Sequence, residues 1–285
     1  MKIQIQKASV YAFLAAFMVT VPAMAQPAAP GKLYNTAKQK LLDGKQIFSV
    51  TISKPDVAAY CEAAKHYDYT WFEMQHSTLT WADIEKMVAA CPHVNATPMV
   101  RIQDELESSI QHATDIGLLG IIMPTVDTVE KAEAAVRYAK YPPEGRRSMG
   151  AGQAARIWAG EGGTMQYRTS INENMLVIVM IETPVGVAHA SEIANVPGVD
   201  GVLVANTDLG NFSGWFDHNS APYQGMVKLI HDATLHAGKF LGATDPSYAK
   251  GRPDSADYRI LQNGPASDGW VNPNRPAAGG RGPSQ

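Results

Sequence analysis

From residue 47 onward the chain alternates short, almost wholly apolar runs with longer segments whose apolar residues recur every three or four positions. The short runs are Ile47–Ser53, Tyr69–Met74, Thr97–Arg101, Leu119–Met123, Met175–Ile181, Gly201–Ala205, Lys239–Ala243 and Tyr258–Gln262. Runs apolar on both faces are what parallel strands buried between layers require. The segments with helical period are Val57–Lys65, Trp81–Ala90, Leu106–Thr114, Val129–Ala139, Ala188–Ile193 and Tyr223–His236. Strand–helix repeats predict a parallel sheet with helices outside. Eight strands on about 230 residues predict an α/β fold of the closed (β/α)8 TIM-barrel type. A doubly wound open sheet is the alternative. No GxGxxG follows the first strand, which disfavours a dinucleotide-binding form of it.

Two stretches depart from the repeat. After Ala139 comes Tyr141-Pro-Pro-Glu-Gly-Arg-Arg-Ser-Met-Gly150 and then a Gly-, Ala- and polar-rich stretch, which predicts a long functional or mobile loop before the fifth strand. After Trp270 the density of Pro and Gly forbids a helix, so the eighth helix is missing and residues 271–285 form a disordered tail. The outer wall between strands 8 and 1 must then be covered by Pro30–Asp43 or by another subunit. We favour the subunit, because an uncovered apolar strand face is an association site.

The first 25 residues stand apart from the fold. Lys2 and Lys7 precede the uncharged run Val10–Val21, and Ala23-Met24-Ala25 offers small residues before Gln26. This is the three-part pattern of a secretory signal peptide. A run of about 18 Å in helical form is too short to span a bilayer core of about 30 Å. The expectation is an exported protein, periplasmic or secreted, with a barrel over residues 26–270 and no membrane association after cleavage. Export permits a disulfide between Cys61 and Cys91, but two separate buried thiols are the reading favoured from sequence. With 24 Lys+Arg against 27 Asp+Glu, the charge balance argues against a nucleic-acid partner held through phosphate neutralisation.

In a barrel of this type the active site lies at the carboxyl ends of the strands. The polar residues there are Glu73, Gln75 and His76 after strand 2, Arg101 ending strand 3, Glu182 after strand 5, and Asn206-Thr207-Asp208 after strand 6. Glu182 and Asp208 follow adjacent strands about 4.8 Å apart, so both carboxylates can reach one hard divalent cation. Either also suits a helix N-cap or first-turn acid. Arg101 suits a substrate carboxylate or a developing enolate oxygen, or a structural ion pair. His76, beside Glu73, is the candidate general base, and Asp115 could orient it. Lysines are scarce at strand ends, which argues against a Schiff-base aldolase, and there is no GxSxG elbow.

On these residues the chain resembles the HpcH/HpaI family of metal-dependent 2-oxo-acid (pyruvate) aldolases. The matching stretches are Tyr69–Ser77, Val100-Arg101 with Asp115-Ile-Gly117, Ile122-Met-Pro124, Arg137–Gly150, Ile181–Val187 (IETPVGV) and Val196–Gly210 (VPGVDGVLVANTDLG). The resemblance implies a metal site of Glu182 and Asp208, with Mg2+, Mn2+ or Co2+ as the divalent cation. It places Arg101 on the pyruvate carbonyl oxygen, His76 in the acid–base unit, and Asp115 as its partner, often from a neighbouring subunit of a homo-oligomer. Backbone amides near Thr207 and Asp208 would meet the substrate carboxylate. Four positions depart from the family pattern. Glu73 stands where many members have Asp, and Met180 replaces a polar residue just before the metal glutamate. Ala205-Asn206-Thr207 replaces a Gly-Pro, and Ser148 replaces a Gly. The implied reaction is class II aldol cleavage of a 4-hydroxy-2-oxo acid to pyruvate and an aldehyde through a metal-stabilised enolate, a carbon–carbon lyase activity. The alternatives are an exported 2-oxo-acid-binding protein that has lost turnover, motivated by Glu73, Met180 and the missing helix, and a related reaction such as oxaloacetate decarboxylation.

Overall fold

The computed structural model describes residues 33–150, 152–159 and 164–273. Eight parallel strands close into a barrel in chain order: β1 (Ile47–Ile52), β2 (Tyr69–Glu73), β3 (Thr97–Arg101), β4 (Gly120–Met123), β5 (Leu176–Ile181), β6 (Gly201–Val204), β7 (Phe240–Ala243) and β8 (Tyr258–Leu261). β8 pairs with β1, so no strand edge is left open. The helices are α1 (Thr36–Leu42), α2 (Val57–Ala63), α3 (Trp81–Ala90), α4 (Glu107–Asp115), α5 (Val129–Ala139), α6 (Gly152–Trp158), α7 (Thr164–Asn174), α8 (Pro184–Ala188), α9 (Ala190–Ala194), α10 (Asn206–Ser213) and α11 (Ala221–His236). No helix among the described residues is long and apolar enough to cross a membrane.

The strands carry two cores because successive side chains point to opposite faces. One set faces the helices and includes Val177, Val179 and Ile181 of β5. The other fills the barrel and includes Tyr69, Trp71, Met99, Ile122, Leu176, Ile178, Met180, Leu203 and Ile260. Ala37 and Leu41 of α1 join this second cluster, so α1 plugs one end of the barrel. Its start is tied down by Asn35, whose amide donates to the carbonyls of Leu119 (3.2 Å) and Asn174 (2.7 Å). The plug belongs to the amino-terminal end, since Lys38 reaches the Met175 carbonyl just before β5. The opposite end is left to polar residues.

Three expectations are corrected here. The stretch after Gly150 is not a bare loop: α6 and α7 lie within it. Gln153 anchors α6 by donating to the carbonyls of Glu85 and Ile116, both at 2.9 Å. Cys61 and Cys91 are not separate buried thiols; both are partly exposed and form a disulfide joining α2 to the end of α3. Part of the wall between β8 and β1 carries a segment of this chain that the sequence reading did not name. No helix follows β8 among the described residues, and the strap of residues 264–270 crosses the outer face instead. Gly264 sits against the Phe48 ring, where a Cβ would come within 1.9 Å of a ring carbon. Ala266 is buried, and Trp270 stacks on His66 with ring centroids 4.4 Å apart. A 3-10 turn at Pro246–Ala249 adds Tyr248 against Tyr258 of β8.

Candidate active site

The alternation that builds the inner core also sets the site. Glu73 lies two residues beyond Trp71, Arg101 two beyond Met99, and Glu182 two beyond Met180. Each therefore continues the inward phase of its strand past the last apolar layer. In the β2–β3 register Glu73 and Arg101 are direct partners. Arg101 Nε donates to both Glu73 carboxylate oxygens (2.8 and 3.1 Å), and Nη2 donates to Oε2 at 2.5 Å. Both side chains are buried. Trp71 lies beneath them: its indole donates to Glu73 Oε2 at 3.0 Å, and its ring is 5.5 Å from the guanidinium carbon. The guanidinium fork is thus fixed through Nε and Nη2, and Nη1 takes no part in the pairing with Glu73.

Glu73 meets His76 through the backbone. Its Oε1 accepts from the amides of Gln75 (2.9 Å) and His76 (3.1 Å), while the His76 imidazole is exposed at the rim. The expected partnership between the two side chains is therefore a turn clamp. Asp115, the last residue of α4, accepts from Arg147 Nη2 and from Gln111 Nε2, both at 2.9 Å. Within one chain the described residues give it no bond to His76. The Arg147 side chain is fully buried and lies 4.6 Å over the Tyr141 ring.

Glu182 is 2 % exposed. Its Oε1 accepts from the Thr125 hydroxyl, and its Oε2 is buried with no hydrogen-bond partner. Burial pushes its carboxyl above the usual carboxylate range, and the Asp208 charge adds to this. Hydrogen bonding from the Thr125 hydroxyl and from its backbone, and the Arg101 charge, oppose it. Asp208, half-buried, lies in the first turn of α10. The start of that helix is clamped by Asn206, which is buried. The Asn206 amide N–H donates to Thr244 Oγ1 (3.0 Å), its carbonyl accepts from the Tyr223 hydroxyl (2.9 Å), and its Oδ1 accepts from the Asp245 amide (3.1 Å). The first-turn N–H groups of exposed Thr207 and of Asp208 have no intrahelical acceptor and can receive a carboxylate.

The sequence alone did not point to Thr125, Arg147 or the clamp around Asn206, because single polar or charged residues in loops carry no periodic signal. A bare, buried carboxylate oxygen beside a second carboxylate suits a hard divalent cation. Among the described residues no group of three or more His, Cys, Asp or Glu side chains is arranged to hold an ion. Two carboxylates would leave the other coordination positions to water and substrate oxygens.

A sequence model of the HpcH/HpaI aldolase/citrate lyase family matches residues 47–227. A hydroxypyruvate/pyruvate aldolase of Delftia acidovorans is 33% identical over 191 residues, covering 66% of this chain and 70% of that protein. A 2-keto-3-deoxy-L-rhamnonate aldolase of Salmonella gallinarum is 29% identical over 226 residues, covering 76% of this chain and 82% of that protein. Among solved structures, an HpcH/HpaI aldolase/citrate lyase family protein of Burkholderia cenocepacia superposes with a TM-score of 0.71 at 26% identity, covering 80% of this chain and 91% of that one.

Proposed function

Because the chain belongs to the HpcH/HpaI aldolase/citrate lyase family, we propose that it is a carbon–carbon lyase that cleaves a 4-hydroxy-2-oxo acid to pyruvate and an aldehyde with a divalent cation held by Glu182 and Asp208. The observation that carries this is the buried, unpaired Oε2 of Glu182 on the same rim as Asp208 and Arg101. When bound, the cation supplies Lewis acidity at the 2-oxo group and can be Mg2+, Mn2+ or Co2+.

The chain's own groups do the rest. The N–H groups of Thr207 and Asp208 orient the C1 carboxylate. His76, directly or through a water, takes the C4 hydroxyl proton. The C3–C4 bond breaks, its electron pair moves into the C2–C3 enolate, and the aldehyde leaves. Arg101, its fork fixed by Glu73, holds the negative oxygen through Nη1. A proton returned to C3 gives pyruvate, so the reaction needs no oxidant or reductant. Asp115 accepts from Arg147 within its own chain and is partly exposed, an arrangement suited to serving the His76 of another copy in a homo-oligomer. The signal-like residues 1–25 and the Cys61–Cys91 disulfide support an exported, periplasmic or secreted location.

Pyruvate release from 4-hydroxy-2-oxo acids of varied chain length, with Mg2+, Mn2+ or Co2+ added, tests the reading. Metal-dependent release is expected. Folded protein that releases none with any metal, yet binds pyruvate or oxalate tightly, would support instead a binding protein that has lost turnover. Met180, apolar and buried beneath Glu182, is the observation that favours that second reading.

A further inference from the structure

Among the described residues two non-glycine residues have positive φ: Thr125 (50°) and Asn263 (56°). Asn visits this left-handed region readily; a β-branched residue does so only when its surroundings force it. Thr125 lies in the loop between β4 and α5, and that loop is fastened on every side. Lys131 Nζ donates to the Thr125 carbonyl at 3.1 Å, and the Val126 amide donates to the Met180 carbonyl at 3.0 Å. The Thr183 hydroxyl donates to Asp127, and the His189 ring lies 2.8 Å from the Asp127 carbonyl. Gly186 packs so close that a Cβ would stand 2.9 Å from the Val126 carbonyl oxygen. Strain of this kind persists where it serves a site.

The Thr125 hydroxyl donates to Glu182 Oε1, leaving Oε2 bare. Met180, the neighbouring inward side chain on β5, has no hydrogen-bond donor to offer a carboxylate. We propose that Thr125 is a positioning residue: its hydroxyl, held by the strained loop, fixes Glu182 so that Oε2 is presented to the divalent cation with Asp208. This rests on the metal reading above. Partners that orient a metal ligand typically contribute 10- to 100-fold to affinity.

The experiment is Mn2+ binding to the full chain, followed by electron paramagnetic resonance or calorimetry, alongside the thermal midpoint of the metal-free protein. Thr125→Val keeps the shape and removes the hydroxyl; a Kd raised at least about tenfold is expected. Thr125→Gly accepts the positive φ without strain, lacks the hydroxyl, and guards against a valine variant that does not fold; the same loss is expected. Thr125→Ser restores the donor and should stay within about twofold of the parent, as a retained hydroxyl requires. Glu182→Gln serves as reference. If the valine and glycine variants bind Mn2+ as the parent does while Glu182→Gln loses it, the role given to Thr125 is overturned and the metal site stands. A serine variant as weak as valine also overturns it. Undiminished binding by Glu182→Gln overturns the ligand assignment and the proposal with it.

Discussion

At the residue scale the site depends on charges placed where water is scarce. Glu182→Gln and Asp208→Asn should each abolish metal-dependent cleavage while the thermal midpoint stays near the parent's, since each change is isosteric and removes one of only two carboxylates. Near-normal turnover in either variant would refute the ligand pair. Arg101 presents a different case, because its fork is matched to Glu73 through Nε and Nη2. Arg101→Lys retains the charge and loses the geometry, so kcat should fall about 10²-fold or more. Glu73→Ala leaves a buried guanidinium without its carboxylate and two backbone amides without their acceptor, which should cost about 3–5 kcal/mol of stability. Denaturant titration and steady-state kinetics on the same preparations separate the two effects. An Arg101→Lys variant of normal kcat would reduce Arg101 to a structural role.

At the scale of elements, the Cys61–Cys91 bridge closes a loop of sequence separation 30 between α2 and α3. Loop-closure entropy gives such a bridge about 3–4 kcal/mol. A Cys61→Ser/Cys91→Ser double variant should melt well below the parent, and an equal midpoint would show the bridge to be dispensable. The strap should respond to pH. The His66 ring is 2.6 Å from Asp268 and 3.3 Å from Glu62. The bond to Asp268 raises the histidine's pKa, with Glu62 assisting and desolvation opposing. Asp268 is lowered, chiefly by the same bond. A raised histidine contributes stability that is complete below its unfolded value of about 6.5 and is lost as pH rises through the folded one. A lowered carboxylate contributes above its unfolded value of about 3.9 and loses that contribution in acid. Protection of the Ser267 and Trp270 amides from hydrogen exchange, corrected for intrinsic rates, should therefore peak in mild acid and fall as pH passes neutrality. A profile flat across that range would exclude the histidine as the latch. The strands were legible within about a residue because each is an almost wholly apolar run bounded by polar or turn-forming residues. α1, α6, α7, α8 and α10 were not: α1 turns only Ala37 and Leu41 inward and α7 packs Tyr167 and Ile171, one helical turn of apolar contact each, too short for a periodicity to show. Glu73, Arg101, Glu182 and Asp208 were legible from strand ends, whereas the disulfide needed the relative placement of two helices.

At the scale of the whole molecule, no helix follows β8 among the described residues, so the side of the barrel is closed in another way. α1 fills the amino-terminal mouth rather than the wall, with Lys38 beside Asp200 (3.3 Å) and Lys40 paired to Asp68. The wall is left to residues 264–270, which end at a tryptophan held between rings: stacked on His66 and edge-on to Tyr67, with centroids 6.4 Å apart. The Ser267 amide and hydroxyl both donate to the His66 carbonyl, at 2.9 and 2.8 Å. Val271, just beyond the strap, is 81 % exposed. Most of the tail expected from the sequence, residues 274–285, lies outside the described residues. Two truncations distinguish these parts. Ending the chain after Trp270 should leave the melting midpoint and the mass by light scattering unchanged. Ending it after Asn263 removes Gly264, Ala266 and Trp270, uncovers Phe48, and should lower the midpoint by several degrees while promoting association through the bared wall. If the shorter chain melted and sized like the parent, the strap would not be the cover and a neighbouring subunit would have to be. If the longer one unfolded, the tail would hold part of the barrel together.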